Sequence, residues 1–289
     1  MEEQKAIYGI IGNPLGHSLS PVMHNAAFQA LDVDAEYKLF PLKEDQLDEF
    51  FKDLKKEDSP IFGLNVTVPY KEHVFQYMDR LSPLAEKIGA VNTIFISKNR
   101  ELIGYNTDAP GFMAHLAELQ FNTADKRIAI LGAGGSTRAI LTALCMIPER
   151  PRIIKIYNRT TSKVDELLSD LKVKINIDVV EPVISIDDLD IPGCDLLINT
   201  TSVGMSKEDP SLVEEDLLRP GMLVYDLIYN PPETPLLKFA RNQGALTANG
   251  LGMLYYQGVM ALQRWAETEI DESVKYQMRL ALEEALGYE

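Results

Sequence analysis

Between Asn65 and Lys71 the sequence reads NVTVPYK. Asn65 and Thr67 alternate with Val66 and Val68, so on an extended strand the two polar side chains share one face. Pro69 ends the hydrogen-bonding ladder, because it has no N–H to give, and Lys71 follows where a helix can begin. An amide, a hydroxyl and an amine hung from one rigid strand end suit an oxygen-rich small molecule. The amine can also stabilise or protonate an oxygen on which negative charge develops. Taken singly, these residues say less: a lone Asn or Thr at a strand end is most often a turn or cap residue, and a lone lysine is most often a solvated charge.

A second chemical signal lies in ILGAGGSTRA. Gly132, Ala133, Gly134, Gly135 and Ser136 follow a short apolar strand and open a helix. The first glycine permits a tight turn, the second lets backbone approach a pyrophosphate, and the helix start supplies N–H groups and a positive dipole end. Three glycines would only weaken a helix start that had no ligand to hold. Thr137 stands where a third glycine is usual, and it either crowds a diphosphate or hydrogen-bonds it. The next strand ends in IIKIYNRTTSK, with Asn158, Arg159, Thr160 and Lys163 in place of the carboxylate that binds ribose hydroxyls in an NAD site. A guanidinium fork suits a phosphate, so these residues predict an adenosine 2′-phosphate pocket and NADP as cofactor.

The elements that must position these groups alternate. AIYGII, AEYKLFPL and IFGLNVTV read as strands, and AVNTIFIS with ELIGYN reads as a strand pair around KNR. Ser20-Pro21 marks a helix start with serine as N-cap and proline at the first helical position. Leu47, Phe50, Phe51 and Leu54 form the apolar stripe of another helix. After Asp108 the pattern changes to a βαβ rhythm: a helix over about Pro110–Leu119, then strands at RIIKIYN, CDLLINT and GMLVYDLIY, which implies a parallel sheet covered on both faces. The chain ends in helices; Leu251, Leu254, Tyr255, Gly258, Leu262 and Trp265 recur at helical spacing, and Gln257, seven residues after Gly250, falls on the same side if the helix is regular.

The 289 residues, 46% hydrophobic and 25% charged, suit two domains of a globular enzyme. A net charge of -15 disfavours nucleic acid and anionic membrane as partners. No apolar run approaches the ~20 residues of a membrane span, and the acidic start MEEQK is unlike a secretory signal. Cys145 and Cys194 form no CxxC pair and His17, His24, His73 and His115 show no metal-ligand spacing. These features predict a reduced, cytoplasmic, metal-free protein. A monomer or a homodimer is expected, and the sequence does not choose between them.

GHSLSP, NVTVPYK, GAVNT, GYNTD, DLIYNP and NGLGMLYYQG, in this order and with INTTSVGM and the glycine turn between them, resemble the shikimate dehydrogenase family over nearly the whole chain. The resemblance implies an N-terminal α/β substrate domain, a Rossmann-like NADP domain, and C-terminal helices that return to the substrate domain, with boundaries at 1–108 plus 249–289 and 109–248. It implies reversible reduction of 3-dehydroshikimate to shikimate, on the way to chorismate and the aromatic amino acids. Residue by residue it implies Ser18 and Ser20 as carboxylate ligands, and Asn65 and Thr67 as hydroxyl or carboxylate ligands. Lys71 becomes the catalytic lysine with Asp108 as its orienting partner, and Asn92 and Asp108 become ligands of ring hydroxyls. Tyr229 and Gln257 become further substrate contacts, and Leu227 and Gly250 neighbours of the nicotinamide. Ser136 and Thr137 depart from the alanines frequent there. Desolvation and a neighbouring carboxylate act on a lysine in opposite senses, and the sequence leaves the resting state of Lys71 open. Joins near Asp108–Gly111 and Asn249 imply a cleft that closes on substrate. The nearest rival is a quinate or quinate/shikimate dehydrogenase using NAD or NADP; an aminoshikimate enzyme is more distant. A catalytically silent NADP(H)-binding regulator would show a broken Lys/Asp pair, and both residues are intact here. A folate dehydrogenase-like enzyme shares the two-domain layout but would not need these ring-hydroxyl ligands.

Overall fold

The computed structural model describes residues 5–206 and 208–287. It divides into two compact units, one formed by the chain up to Gly111 together with the chain from Leu254 on, the other by Phe112–Met253. In chain order the first unit contains β1 (Ala6–Gly12), α1 (Ser20–Ala30), β2 (Ala35–Pro41), α2 (Leu47–Leu54), β3 (Ile61–Val66), β4 (Arg80–Leu81), α3 (Pro83–Ile88), β5 (Thr93–Ile96) and β6 (Leu102–Tyr105). Helix α4 (Asp108–Glu118) leads into the second unit, which holds β7 (Arg127–Leu131), α5 (Gly135–Met146), β8 (Ile153–Tyr157), α6 (Thr161–Leu171), β9 (Val180–Pro182), β10 (Leu196–Asn199), β11 (Leu223–Asp226), α7 (Pro235–Asn242) and β12 (Leu246–Ala248). Helix α8 (Leu251–Ala266) leads back, and α9 (Glu272–Leu286) closes the described chain.

The first sheet has the order β2-β1-β3-β5-β6-β4. β1 pairs in parallel with β2 and β3, whereas β3–β5 and β5–β6 are antiparallel. Its core packs Ile11, Leu64, Val66, Ile94 and Leu102 against Leu47, Phe51 and Leu54. Those last three are the apolar stripe of α2, whose acidic residues face outward. Helix α9 packs along α1, and Trp265 of α8 donates its indole N–H to the Ile94 carbonyl at 3.0 Å. The C-terminal helices therefore belong to the first unit's core.

The second sheet is wholly parallel, with the order β12-β11-β10-β7-β8-β9. Numbered within this unit, that is the 3-2-1-4-5-6 order of the Rossmann fold, with the reversal between β7 and β10. Alternate residues serve its two faces. Ile128, Ile130, Ile154, Ile156, Leu196 and Ile198 join one core, and Ala129, Leu131, Leu197 and Val224 the other. This is why the strands read as near-continuous apolar runs. The short edge strands β9 and β12 were not read from sequence, because three residues carry too little periodicity to register.

Two local expectations are corrected. Ser20 is the first residue of α1, with Leu19 in the capping place, so Ser20 is not the N-cap; Ser18 Oγ accepts the Ser20 N–H at 3.4 Å instead. Helix α8 begins at Leu251, so Gly250 stands before it and its helical phase relation to Gln257 does not hold.

Behind β3 lies an aromatic cluster. His24 is wholly buried and stacks on Tyr37, with ring centroids 4.5 Å apart and planes 12° from parallel. Neither of its ring nitrogens has a hydrogen-bond partner among the described residues. Burial drives its pKa down to about 3, with the Asn65 side chain acting the other way. The unfolded chain takes up this proton below the ordinary value of 6.5 while the folded chain refuses it until about 3. Stability from His24 is therefore complete above pH 6.5 and is lost as pH falls through that window, approaching about 1.4 kcal/mol per pH unit. His24→Phe keeps a ring on Tyr37 without the titration. Its urea midpoint should vary less between about pH 6 and 4 than that of the wild type; parallel pH dependences would place the acid sensitivity elsewhere.

Candidate active site

The first unit gathers its polar groups at the ends of β3, β5 and β6. Lys71 Nζ donates to Asp108 Oδ2 at 2.6 Å, and both side chains are buried, 11% and 6% exposed. Asp108 is the first residue of α4, and its other oxygen accepts from Asn92 Nδ2 at 2.9 Å. Asn92 is the hub. Its Nδ2 also lies 3.0 Å from Thr107 Oγ1 and 3.4 Å from Gln257 Oε1, and its Oδ1 accepts the Thr107 backbone N–H at 2.7 Å. Gln257 in turn donates Nε2 to the Leu254 carbonyl at 2.8 Å. The carboxylate of Asp108 therefore cannot rotate without breaking a bond at one oxygen or the other.

Asn65, at the end of β3, is buried and engaged at both ends. Oδ1 accepts from Tyr37 Oη at 2.7 Å, and Nδ2 donates to the Asn92 carbonyl and to Thr93 Oγ1, each at 3.2 Å. Thr67 lies just past the strand, half-buried, with its N–H on the Ile11 carbonyl at 2.9 Å. The Val68–Pro69 peptide is cis, and a 3-10 turn over His73–Tyr77, not an α-helix, follows Lys71. Ser18 is half-buried and Ser20 buried at the start of α1.

In the second unit the glycine turn joins β7 to α5. Gly132 has φ of +113°, where a side chain is strained, and a Cβ there would also run into Thr200 Oγ1. Around Gly134, by contrast, a Cβ would meet nothing within 4 Å. That open cradle at a helix N-terminus, with Gly135 and Ser136 half-exposed beside it and Ala133 before it, fits a dinucleotide diphosphate. Asn158 follows directly after β8 and donates to the Thr160 carbonyl at 2.9 Å; Arg159, Thr160 and Lys163 stand exposed around the start of α6. This is an accessible cationic site of the kind a phosphate needs.

The carboxyl ends of β10 and β11 shape two further loops. Asn199 and Asp226 are register partners, both fully buried. Asp226 Oδ1 accepts from Asn199 Nδ2 at 3.0 Å and from the Ile228 N–H at 3.1 Å, and Oδ2 accepts from Thr234 Oγ1 at 2.7 Å. Burial pushes the Asp226 carboxyl up to about 6 despite these three donors. The loop so anchored carries Leu227 and Tyr229. Gly250 presses on it: its N–H meets the Ile228 carbonyl at 3.1 Å, and a Cβ at Gly250 would strike the Leu227 carbonyl oxygen.

The chain is similar in sequence and fold to known proteins. The sequence model of one family, described as the shikimate dehydrogenase substrate binding domain, matches residues 10–94. A Bacillus cereus (strain AH187) protein named shikimate dehydrogenase (NADP(+)) is 41% identical over 265 residues, 90% of this chain and 92% of that protein. The chain belongs to the shikimate dehydrogenase family. Among solved structures, shikimate dehydrogenase from Aquifex aeolicus superposes with a TM-score of 0.85 at 36% identity, covering 96% of this chain and 98% of that one. A shikimate dehydrogenase in complex with NADP+ also gives 0.85, at 37% identity over 98% of this chain and 96% of the other. The fold is accordingly an N-terminal α/β substrate domain plus a Rossmann-like domain.

Several groups in the network escaped sequence reasoning. Tyr37, Thr93 and Thr107 orient Asn65 and Asn92, and Thr200 and Asp226 shape the second unit's loops. Thr93 and Thr107 stood inside the quoted motifs GAVNT and GYNTD, so their signal was adjacency to Asn92 and Asp108; Tyr37, on β2, carried none. Asn92→Ala removes the group that holds Asp108 and strands the Thr107 N–H. It should cost about 1–3 kcal/mol in urea unfolding and lower kcat as well, because Asp108 loses its fixed orientation. A variant with lowered stability and unaltered kcat would reduce Asn92 to a structural role.

Proposed function

We propose that this chain catalyses the NADP-dependent, reversible reduction of 3-dehydroshikimate to shikimate, within the route to chorismate and the aromatic amino acids. The observation that carries the reading is the buried Lys71–Asp108 pair, locked by Asn92, in a chain of the shikimate dehydrogenase family. The first unit acts as the substrate domain and the second as the NADP domain. In the second unit, the turn from Gly132 to Ser136 receives the diphosphate. Asn158, Arg159, Thr160 and Lys163 receive the adenosine 2′-phosphate, and Leu227 and Gly250 border the nicotinamide. Two buried thiols, Cys145 and Cys194, suit a reducing compartment, and we read the enzyme as cytoplasmic. Among the described residues, no helix is long and apolar enough to cross a membrane.

NADPH, when bound, supplies the hydride that the carbonyl carbon accepts. The chain's own part is binding and proton management. Ser18 and Ser20 hold the substrate carboxylate, and Thr67 the carboxylate or a hydroxyl; Asn92 and Asp108 hold ring hydroxyls, and Gln257 and Tyr229 make further substrate contacts. Asn65 has both amide hydrogens committed, so it offers a substrate hydroxyl only the Oδ1 lone pair left beside the Tyr37 bond. As negative charge develops on the carbonyl oxygen, Lys71 Nζ delivers a proton to it, and Asp108 keeps that amine aimed. In the oxidation direction the same pair takes the proton back.

Lys71→Ala should lower kcat by about 10²–10⁴ with little change in KM; a raised KM at full kcat would make Lys71 a binding residue. The deciding assay follows nicotinamide absorbance with shikimate and with quinate, each with NADP and with NAD. Turnover mainly of shikimate with NADP is expected, and comparable turnover of quinate with NAD would overturn the assignment. Arg159→Ala should raise the KM for NADP by about 10–100-fold and leave that for NAD in place.

A further inference from the structure

The glycine turn is tied across the point where the strand order reverses. Three hydrogen bonds run in series: Gly134 N to Thr137 Oγ1 at 3.1 Å, Thr137 Oγ1 to Thr200 Oγ1 at 2.7 Å, and Thr200 Oγ1 to the Leu131 carbonyl at 2.7 Å. The direction of every proton follows from the two ends. A backbone N–H can only donate and a carbonyl can only accept. Thr137 therefore accepts from Gly134 and donates to Thr200, and Thr200 donates to Leu131. Thr137 is completely buried, on the inner side of α5. It does not crowd the open cradle at Gly134; it stands behind the turn and holds it.

The same relay accounts for the first glycine. Thr200 Oγ1 fills the place a Gly132 Cβ would take, so the positive φ of Gly132 and the hydroxyl at Thr200 form one device. Thr200 also sits at the head of the loop that follows β10, directly after Asn199. Asn199 Oδ1 accepts from Thr201 N at 3.0 Å, and its Nδ2 reaches Asp226. One network thus spans the carboxyl ends of β7, β10 and β11.

We propose that Thr137 and Thr200 are positioning residues for the dinucleotide. Their hydroxyl relay holds the glycine turn in its receiving shape before the cofactor arrives. Three glycines in four residues would otherwise sample many conformations, and the ordering of that segment would be charged against binding. The proposal rests on the reading of the second unit as the NADP domain.

The test is direct NADPH titration by nicotinamide fluorescence on the intact chain, with steady-state kinetics and thermal unfolding alongside. Thr137→Val keeps the volume and removes the hydroxyl. It should weaken NADPH binding about tenfold and raise the KM for NADP in step, without moving the KM for shikimate. Thr137→Ser restores the hydroxyl and should restore binding. Thr200→Ala breaks the relay from its half-buried side and should weaken NADPH to a similar degree, which keeps the test open if Thr137→Val folds poorly. Variants with lower melting temperature but wild-type NADPH affinity would overturn the proposal, as would a Thr137→Ser that binds as weakly as Thr137→Val. A wild-type chain that fails to bind NADPH would instead remove the cofactor reading, and this proposal with it.

Discussion

An ammonium and a carboxylate buried together are costly unless each remaining polar atom is also satisfied. Asp108 meets that demand at both oxygens, one taken by Lys71 and the other by Asn92, and much of the first unit follows from it. Asp108 is the first residue of α4, where a carboxylate also suits the positive end of the helix dipole. Asn92 must sit at the mouth of β5, where its amide reaches both Asp108 and Thr107. Asn65, one strand over on β3, then fixes the Asn92 carbonyl, and Tyr37 fixes Asn65 from β2. The sheet order places β3 between β1 and β5, which is what lets these groups from distant parts of the chain share one buried network. Such a network has few alternative arrangements, because most of its groups are buried and hold one another in place.

The second unit solves a different problem by a similar means. A parallel sheet leaves its carboxyl ends open as a crevice, and loops there have no ladder to hold them. The side chains at the last residues of β10 and β11, Asn199 and Asp226, hold two of those loops. Asn199 lies in register with both Leu131 and Asp226, so one residue sits beside both neighbouring strands at the place where the chain leaves the sheet. Asp226 is kept as a buried acid although burial raises its pKa. A carboxylate can accept from Asn199, Ile228 and Thr234 at once, which no apolar residue of similar size could do.

Sequence reasoning reached some of this and missed the rest for identifiable reasons. NVTVPYK marked Lys71 by residue type, a local fact, and the resemblance carried by the ordered motifs implied Asp108; the structure brings the two side chains to 2.6 Å. Ser20 was misplaced by one position because a serine before a proline is equally compatible with capping a helix and with starting one. Thr137 left two alternatives open, both facing the ligand, whereas its buried side chain turns inward to Thr200. Nothing in linear spacing distinguishes a threonine that faces a ligand from one that faces the sheet, since a helix start offers both directions within one residue.

By itself the sequence determined the periodicities, and with them the parallel sheet, the amphipathic α2, the glycine turn and the chemical types available at each strand end. These follow from the 2.0 and 3.6 residue repeats and from backbone preferences that act over a few residues. Only the tertiary structure decided which polar groups meet. Tyr37 with Asn65, Asn92 with Gln257, and Thr137 with Thr200 are separated by 28, 165 and 63 residues. Hydrogen bonding is short-ranged and directional, so such pairs exist only once packing has brought their strands and helices together.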